Sequence, residues 1–268
     1  MERIIFDFKE LRKEDSEIVG KKCANLGELM SAGFRVPPGF AVSLSAYKRF
    51  MTETGLVNKI ESFLSPLRLD PNDPAHMPRF EEVSVAIRQM VEATDLPLDI
   101  ESAIRERYQM LCEATGVNDL PVATRSAGPV SHPGQYETYL HIRGASDVVR
   151  HVRKVWASTF NTRSLIARSR QGLPLSFDPI GVAVLQMVDA KAAGVMFTVN
   201  PTDGDHSKIY IESNWGLGES VVAGEVTPDS FVVSKATSEI LSRNIPVKRI
   251  WYTLDNTTAR VSQQPIPE

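Results

Sequence analysis

The chain has little cysteine and no long hydrophobic run. Cys23 and Cys112 are its only cysteines, too few and too far apart for the disulfide framework of a small secreted protein. The charged opening MERIIFDFKE lacks the apolar core of a secretory signal. No apolar stretch approaches the ~20 residues that cross a bilayer. We therefore expect a soluble protein of a reducing cytoplasm, with no membrane partner.

The chain also has little excess of positive or negative charge. The 30 Lys and Arg residues nearly balance the 33 Asp and Glu residues, which gives a formal charge of −3. This balance offers no global electrostatic reason to bind nucleic acid. The five histidines are not clustered at zinc-ligand spacing, and no G-x-S-x-G elbow suggests a hydrolase. The sequence thus argues against a nucleic-acid partner, a zinc site and a serine hydrolase.

What the chain does have is the composition of a globular protein. Of its 268 residues, 42% are hydrophobic and 24% are charged, which is ordinary for a folded protein. In the first 120 residues, apolar positions such as Val83, Ile87 and Val91 recur at helical spacing. After residue 179, short apolar runs bounded by Gly, Asp and Asn predict strands. The order of helices, a mixed segment and then strands predicts the α+β class.

Three glycine-centred segments are candidates for function. The first is GKKCANLGELM, residues 20–30, in which a glycine turn and two lysines precede a predicted helix start. A lysine at a helix N-terminus adds a mobile positive charge to unpaired backbone N–H groups, and both suit a phosphate. The spacing is not that of a P-loop. The alternative is a solvated lysine at a helix end.

The second segment is TRSAGPVSHPGQYETYL, residues 124–140. It places Arg125 at the end of a predicted strand, followed by a loop of small residues. An arginine beside exposed loop amides can hold an anion through bidentate hydrogen bonds. The alternative is an arginine in a surface salt bridge.

The third segment is SNWGLGESVVAGEVTPDSF, residues 213–231. Gly216 and Gly218 allow a positive φ or a close backbone approach, and Glu219 follows them directly. A carboxylate in this position can accept the hydroxyls of a ribose. The alternative is a glycine-rich turn between strands, with Glu219 in solvent.

Together these segments resemble the ATP-grasp nucleotide-binding region of phosphoenolpyruvate synthase, pyruvate phosphate dikinase and rifampin phosphotransferase. KKCANLGELMSAGFRVPPGFAVS is similar to the family's G-x-K-G-A-N-L opening and P-P-G-F turn. WASTFNTRSLIARSRQG resembles its W-A-S-x-(F/W)-x-x-R segment, and VLQMVDAKAAGVMFTVNP its V-x-Q-x-M-V/G-V-x-F-T sequence. NWGLGESVVAGEVTPDSF matches W-G-L-G-E-x-V-V-x-G-x-V-x-P-D almost throughout. The resemblance covers residues 18 to 235.

The resemblance implies an ATP-grasp fold with two lobes and the nucleotide bound between them. The N-terminal part, residues 1–188, is expected to be helical with short strands, and residues 189–268 are expected to form a strand-rich second lobe. ATP and Mg²⁺ are the implied cofactors. The implied partners are a phosphohistidine-carrying domain or subunit and a small-molecule acceptor bound elsewhere.

The resemblance also assigns roles to individual residues. Lys22 and Arg125 would contact the ATP phosphates and carry the catalytic charge. Glu137 and Thr138 fall on an acidic-Thr pair of the nucleotide site. The adenine-facing edge between the lobes would be Gln186, Met187 and Val188, and Glu219 would take the ribose.

The chain departs from the family pattern at several points. Cys23 stands where the family usually has glycine, and the loop after Arg125 has the shorter, dikinase-like length. The D-x-E and Gln metal positions and the phosphohistidine motif are missing, so we expect a second lobe that is incomplete at its C-terminus and metal ligands that are unknown. The resemblance thus implies an ATP-dependent phosphotransferase module or subunit, such as that of a phenylphosphate synthase-like enzyme. The alternative is a non-catalytic nucleotide-binding regulatory subunit.

Overall fold

The computed structural model describes residues 2–130, 136–255 and 260–266. The chain divides into two compact units, Met1–Met187 and Val188–Glu268. This boundary falls one residue before the lobe boundary expected from the sequence. Helices and sheets occur together, so the α+β class is confirmed. None of the described helices has the length and apolar character needed to cross a bilayer.

The described part of the first unit contains a five-stranded antiparallel sheet. Its strands are β1 (Ile5–Asp7), β2 (Gly39–Val42), β3 (Val122–Ala127), β4 (Thr138–Ile142) and β5 (Gly181–Gln186). They lie in the order β1-β2-β5-β3-β4, with β5 at the centre. The strands predicted at PVATRS and YETYLHI correspond to β3 and β4, and this part of the sequence prediction is confirmed.

Helices surround this sheet in the first unit. They are α1 (Ser16–Val19), α2 (Lys21–Ser31), α3 (Leu44–Glu53), α4 (Leu56–Leu64), α5 (Met77–Ala93), α6 (Leu98–Thr115), α7 (Ala145–Ala157) and α8 (Thr162–Arg170). The helical spacing seen in the sequence corresponds to buried faces, since Val83, Ile87 and Val91 of α5 are all buried. Helix α5 includes Pro78 in its first turn, where a missing N–H costs nothing.

The two faces of the sheet pack against different cores. Along β5, Val182 and Val184 belong to the larger core, which contains residues of α3 to α8. Ala183 and Leu185 belong to the smaller core on the other face, which contains residues of α2. This alternation follows from the two-residue period of a strand. Small side chains on the second face let α2 lie close to the sheet.

The second unit has a different character. Its strands are β6 (Ala192–Phe197), β7 (Lys208–Trp215), β8 (Asp229–Ser234), β9 (Ile240–Asn244), β10 (Ile250–Asp255) and β11 (Arg260–Pro265), and its helix is α9 (Glu219–Val222). Strands β6 to β9 form an antiparallel sheet in sequence order, and β10 pairs with β11. Among the described residues of this unit, the buried side chains are polar: Asn200, Asn214 and Ser220.

Candidate functional site

The N-terminus of α2 lies directly against the end of β3. Gly20 precedes α2 with a φ of 82°, and a Cβ at this position would overlap the carbonyl of Ala127. The backbone N–H of Lys21 donates to the carbonyl of Gly128 at 2.9 Å. Because only glycine allows this approach, the glycine of the GKKCANLGELM segment is required by packing. It fixes the first turn of α2 beside β3.

Arg125 faces the same side of the sheet as α2. It is paired with Ala183 of β5 and with Thr138 of β4. Directly paired residues of antiparallel strands project to the same face, and Ala183 belongs to the smaller core that α2 covers. The fold therefore brings the first and second glycine-centred segments together, with Lys22 on the helix and Arg125 on the strand.

Lys22 and Arg125 form a doublet of positive charges. Partial desolvation lowers the pKa of Lys22, and the charge of Arg125 lowers it further. Both residues are exposed, and within the described ranges neither takes part in an ion pair. Two neighbouring cations without a carboxylate attract a multiply charged anion. The surface-salt-bridge alternative for Arg125 thus finds no partner in the described part of the chain.

Cys23 does not interrupt the helix at this site. Helix α2 begins at Lys21 and runs through Cys23, whose side chain is fully buried in the smaller core. Burial raises the pKa of its thiol to about 12, so the sulfur stays neutral and packs like a small apolar group. The departure from the family's glycine is therefore accommodated by the core.

Glu137 and Thr138 project to opposite sides of the sheet. Thr138 is paired with Arg125, on the face of α2. The Glu137 carboxylate instead lies 2.9 Å from the guanidinium of Arg88 on α5, and it also accepts a hydrogen bond from the hydroxyl of Tyr139. Only Thr138 of the predicted pair thus accompanies the two cations.

The end of β5 leaves one backbone donor open. The N–H of Gln186 donates to Pro38 at 2.8 Å, and the N–H of Met187 donates to Pro121 at 2.9 Å. Within the described residues, the N–H of Val188 donates no backbone hydrogen bond. Gln186 and Met187 close the first unit and Val188 opens the second.

The third glycine-centred segment is fixed within the second unit by Tyr252 on β10. Gly216 has a φ of 74°, and a Cβ there would overlap the carbonyl of Tyr252, which also accepts the N–H of Leu217 at 2.7 Å. Glu219 is exposed at the start of α9. Desolvation and the nearby charge of Glu225 raise the pKa of Glu219. The segment therefore presents a carboxylate on a rigid turn.

The two glycines of this segment are expected to respond differently to substitution. A Cβ at Gly218 would lie 3.6 Å from the Cβ of Ala193, an ordinary contact, and the φ of Gly218 is −69°. Gly216→Ala should lower the free energy of unfolding of the second unit by about 2–5 kcal/mol, from backbone strain and overpacking. Gly218→Ala should change it by less than about 1 kcal/mol. Urea denaturation, monitored by hydrogen exchange of the β10 amides, measures the free energy of unfolding of each variant. Equal losses in the two variants would contradict the role of Gly216.

Sequence reasoning missed the contacts that hold Glu137. Arg88 gave no signal, because it lies 49 positions away on an ordinary amphipathic helix. Ser158, whose Oγ accepts the backbone N–H of Glu137 at 3.1 Å, lies in the W-A-S segment that carried part of the resemblance. The W-A-S segment was therefore the one sequence signal that pointed to a residue in contact with Glu137.

The described part of the chain contains no preformed cluster of metal-binding side chains. No group of three or more His, Cys, Asp or Glu side chains suited to a metal occurs among those residues. Mg²⁺ beside a nucleotide is usually held by one or two carboxylates together with the phosphates, so the metal ligands stay unknown. The Lys22–Arg125 doublet, by contrast, fits a polyphosphate.

Comparison with protein families gives one match that covers most of the chain. Residues 16–268 match the model of the family described as pyruvate phosphate dikinase, AMP/ATP-binding domain. The match includes all three glycine-centred segments and both units.

Individual relatives agree with this match. The chain is 43% identical to a probable phosphoenolpyruvate synthase of Methanothermobacter thermautotrophicus, over 96% of this chain and 37% of the relative. It is 40% identical to one of Methanocaldococcus jannaschii, over 92% and 21% respectively. It is 39% identical to the phosphoenolpyruvate synthase of Aeropyrum pernix, over 92% and 30%. The chain thus spans between about a fifth and somewhat over a third of the length of these relatives.

Proposed function

This chain belongs to the pyruvate phosphate dikinase AMP/ATP-binding domain family, and on that premise we propose that it is the ATP-binding module of a dikinase-like phosphotransferase. In this proposal it passes a phosphoryl group from ATP to a histidine on a partner domain or chain, as an ATP-dependent enzyme related to phosphoenolpyruvate synthase. The observation that carries the proposal is the Lys22–Arg125 doublet beside the start of α2, which has no ion-pair partner among the described residues.

The phosphates are assigned to the first unit. Lys22 and Arg125 would neutralise the polyphosphate, and the hydroxyl of Thr138, paired with Arg125, would donate to a phosphate oxygen. Phosphoryl transfer depends on positioning and charge neutralisation more than on covalent chemistry by the protein. Two cations on rigid elements supply both, because α2 is held by Gly20 and β3 by its two neighbouring strands.

The remainder of the nucleotide is assigned to the boundary and to the second unit. The open N–H of Val188 would hold the adenine edge, together with the chain at Gln186 and Met187. Glu219 would accept the ribose hydroxyls. In this ATP-grasp arrangement both lobes contribute to one nucleotide site. Mg²⁺ would accompany the phosphates when bound, and the proposal assigns it none of the described residues as ligands.

The phosphoryl acceptor is proposed to lie on another domain or chain. None of the five histidines stands in a phosphohistidine motif, and His141 and His151 are more than nine-tenths buried. The Nδ1 of His76 accepts the backbone N–H of Asp70. His206 lies on a loop of the second unit, and His132 lies outside the described residues. A small molecule bound elsewhere would then receive the phosphoryl group.

The proposal predicts a preference for ATP over adenosine. Titration calorimetry of the 268-residue chain should show ATP binding at least about tenfold tighter than adenosine, since one charge-assisted hydrogen bond contributes about 1.5–3 kcal/mol. Equal affinities, or no ATP binding, would contradict it.

A regulatory subunit would bind ATP equally well, so incubation with γ- and β-labelled ATP and a histidine-carrying partner separates the two functions. Label on the partner's histidine would support phosphoryl transfer, and its absence would support the regulatory function.

A further inference from the structure

The residues just before β4 are tied to three other elements of the first unit. The hydroxyl of Tyr136 donates to Asp178 at 2.6 Å. The backbone N–H of Glu137 donates to the Oγ of Ser158 at 3.1 Å, and the Glu137 carboxylate pairs with Arg88 at 2.9 Å. None of these contacts involves the face that carries Lys22. They fix the point at which the chain enters β4.

Ser158 is a rigid acceptor for this purpose. Its side chain is fully buried, and its own hydroxyl proton is committed to the carbonyl of Val155 at 2.7 Å. The Oγ lone pairs are therefore available to the N–H of Glu137. Ser158 directly follows α7, and the nearby Trp156 stacks on Phe50 at 5.4 Å between ring centres. The W-A-S segment thus holds the acceptor in one position.

The pairing of strand β4 with β3 is interrupted by a bulge. The register shifts between Val122 and Thr124, and His141 within β4 has a φ of 58°. A bulge of this kind interrupts the ladder, so only a short stretch defines which residue lies opposite Arg125. A slip by one residue exchanges the two faces of a strand.

The slip would have a specific electrostatic result. It would move Glu137 opposite Arg125 in place of Thr138. A carboxylate there would pair with the guanidinium and repel a phosphate, and the doublet would lose its capacity for anions. The contacts of Arg88 and Ser158 oppose this exchange, because both hold Glu137 toward the larger core.

We propose that Arg88 and Ser158 are positioning residues for the phosphate end of the site. By holding Glu137 on the face of α5 and α7, they keep Thr138 opposite Arg125 and leave the two cations free for a polyphosphate. This inference rests on the proposed ATP-binding function. It assigns Glu137 an indirect role, since its carboxylate is engaged by Arg88 and Tyr139.

The test uses the full 268-residue chain and titration calorimetry with ATP and with adenosine. Arg88→Met should weaken ATP binding by about fivefold and leave adenosine binding within about twofold. Ser158→Ala should act in the same direction. The control is Arg105→Met, which breaks an ion pair with Glu101 of comparable partial exposure and should leave both affinities unchanged.

A second substitution separates positioning from general support of the fold. Adding Glu137→Gln to Arg88→Met removes the negative charge that would reach Arg125, so ATP affinity should return to within about twofold of the unsubstituted chain. No recovery, or equal losses for ATP and adenosine, would overturn the inference. So would unchanged ATP binding in Arg88→Met.

Failure of the proposed function would be recognisable independently. If the unsubstituted chain binds no ATP, the cross-strand contact between the backbones of Arg125 and Thr138, followed by NMR, still reports the register. Loss of this contact in Arg88→Met and its persistence in Arg105→Met would support the positioning role. An intact contact in Arg88→Met would overturn it, and this readout stands if Ser158→Ala does not fold.

Discussion

Replacing Lys22 and Arg125 together with methionine is expected to weaken ATP binding by at least about a hundredfold while adenosine binding changes by less than about twofold. Each side chain should contribute a charge-assisted hydrogen bond of about 1.5–3 kcal/mol, and two such losses correspond to a factor of at least about 100. Methionine keeps the apolar stem of either residue and removes only the charge. Adenosine carries no phosphate, so it should not report the change.

The fold should tolerate this substitution. Neither cation has an ion-pair partner among the described residues, and the charge of Arg125 already lowers the pKa of Lys22. Removing both therefore leaves no carboxylate unpaired and relieves a repulsion. The midpoint of thermal unfolding should stay constant or rise slightly.

Lys21→Met is the matched control for this experiment. Lys21 is the preceding residue of α2 and is also exposed. Its substitution should reduce ATP affinity by less than about threefold, as expected for one screened surface charge. A loss equal to that of the double variant would mean that the site recognises only the net charge of the segment. Equal losses for adenosine would refute the phosphate assignment.

The larger elements could be predicted from the sequence because periodicity reports burial. The helical spacing of Val83, Ile87 and Val91 corresponds to one buried face of α5. The short apolar run after residue 179 corresponds to β5, whose two faces enter different cores. Such patterns are local, and one stretch of sequence contains all the information that they need.

The orientation of the candidate site could not be predicted in the same way. The pair Glu137-Thr138 looks like a unit in sequence, but adjacent residues of a strand face opposite sides. Which of the two accompanies Arg125 depends on the register between β3 and β4, and that register depends on contacts with distant helices. Arg88 lies far from Glu137 in the chain, so no local pattern connects them.

Glycines show the same limit. Gly20, Gly33, Gly216 and Gly218 look alike in a sequence, and the GxG of the third segment suggested equal roles for its two members. The structure separates them, because a Cβ would overlap backbone at Gly20 and Gly216 but would meet open space at Gly33 and an ordinary contact at Gly218. A close backbone approach is a tertiary property, and it becomes predictable only when the neighbouring strand is known.

Gly20→Ala is therefore expected to be the most destabilising single substitution among those considered. Gly20 has φ 82° and ψ 154°, a region that is essentially restricted to glycine, and a Cβ would also overlap the carbonyl of Ala127. Backbone strain of about 1–3 kcal/mol and overpacking of about 1–3 kcal/mol together predict a loss of about 2–6 kcal/mol in the free energy of unfolding. Urea denaturation measures this loss.

Gly33→Ala is the reference for the cost of a positive φ without steric overlap. Gly33 has a φ of 84° with nothing within 4 Å of a Cβ, so its substitution carries the backbone strain alone, about 1–2 kcal/mol. The excess for Gly20→Ala then measures the overlap with Ala127 together with the additional strain of the extended ψ of Gly20. If the Gly20 variant stays folded, α2 must shift away from β3, and Lys22 must move away from Arg125. ATP affinity should then fall while adenosine affinity is retained, whereas Gly33→Ala should leave both unchanged. Equal destabilisation by the two substitutions would show that the close approach of α2 to β3 does not depend on Gly20. The position of Lys22 beside Arg125 would then require another explanation.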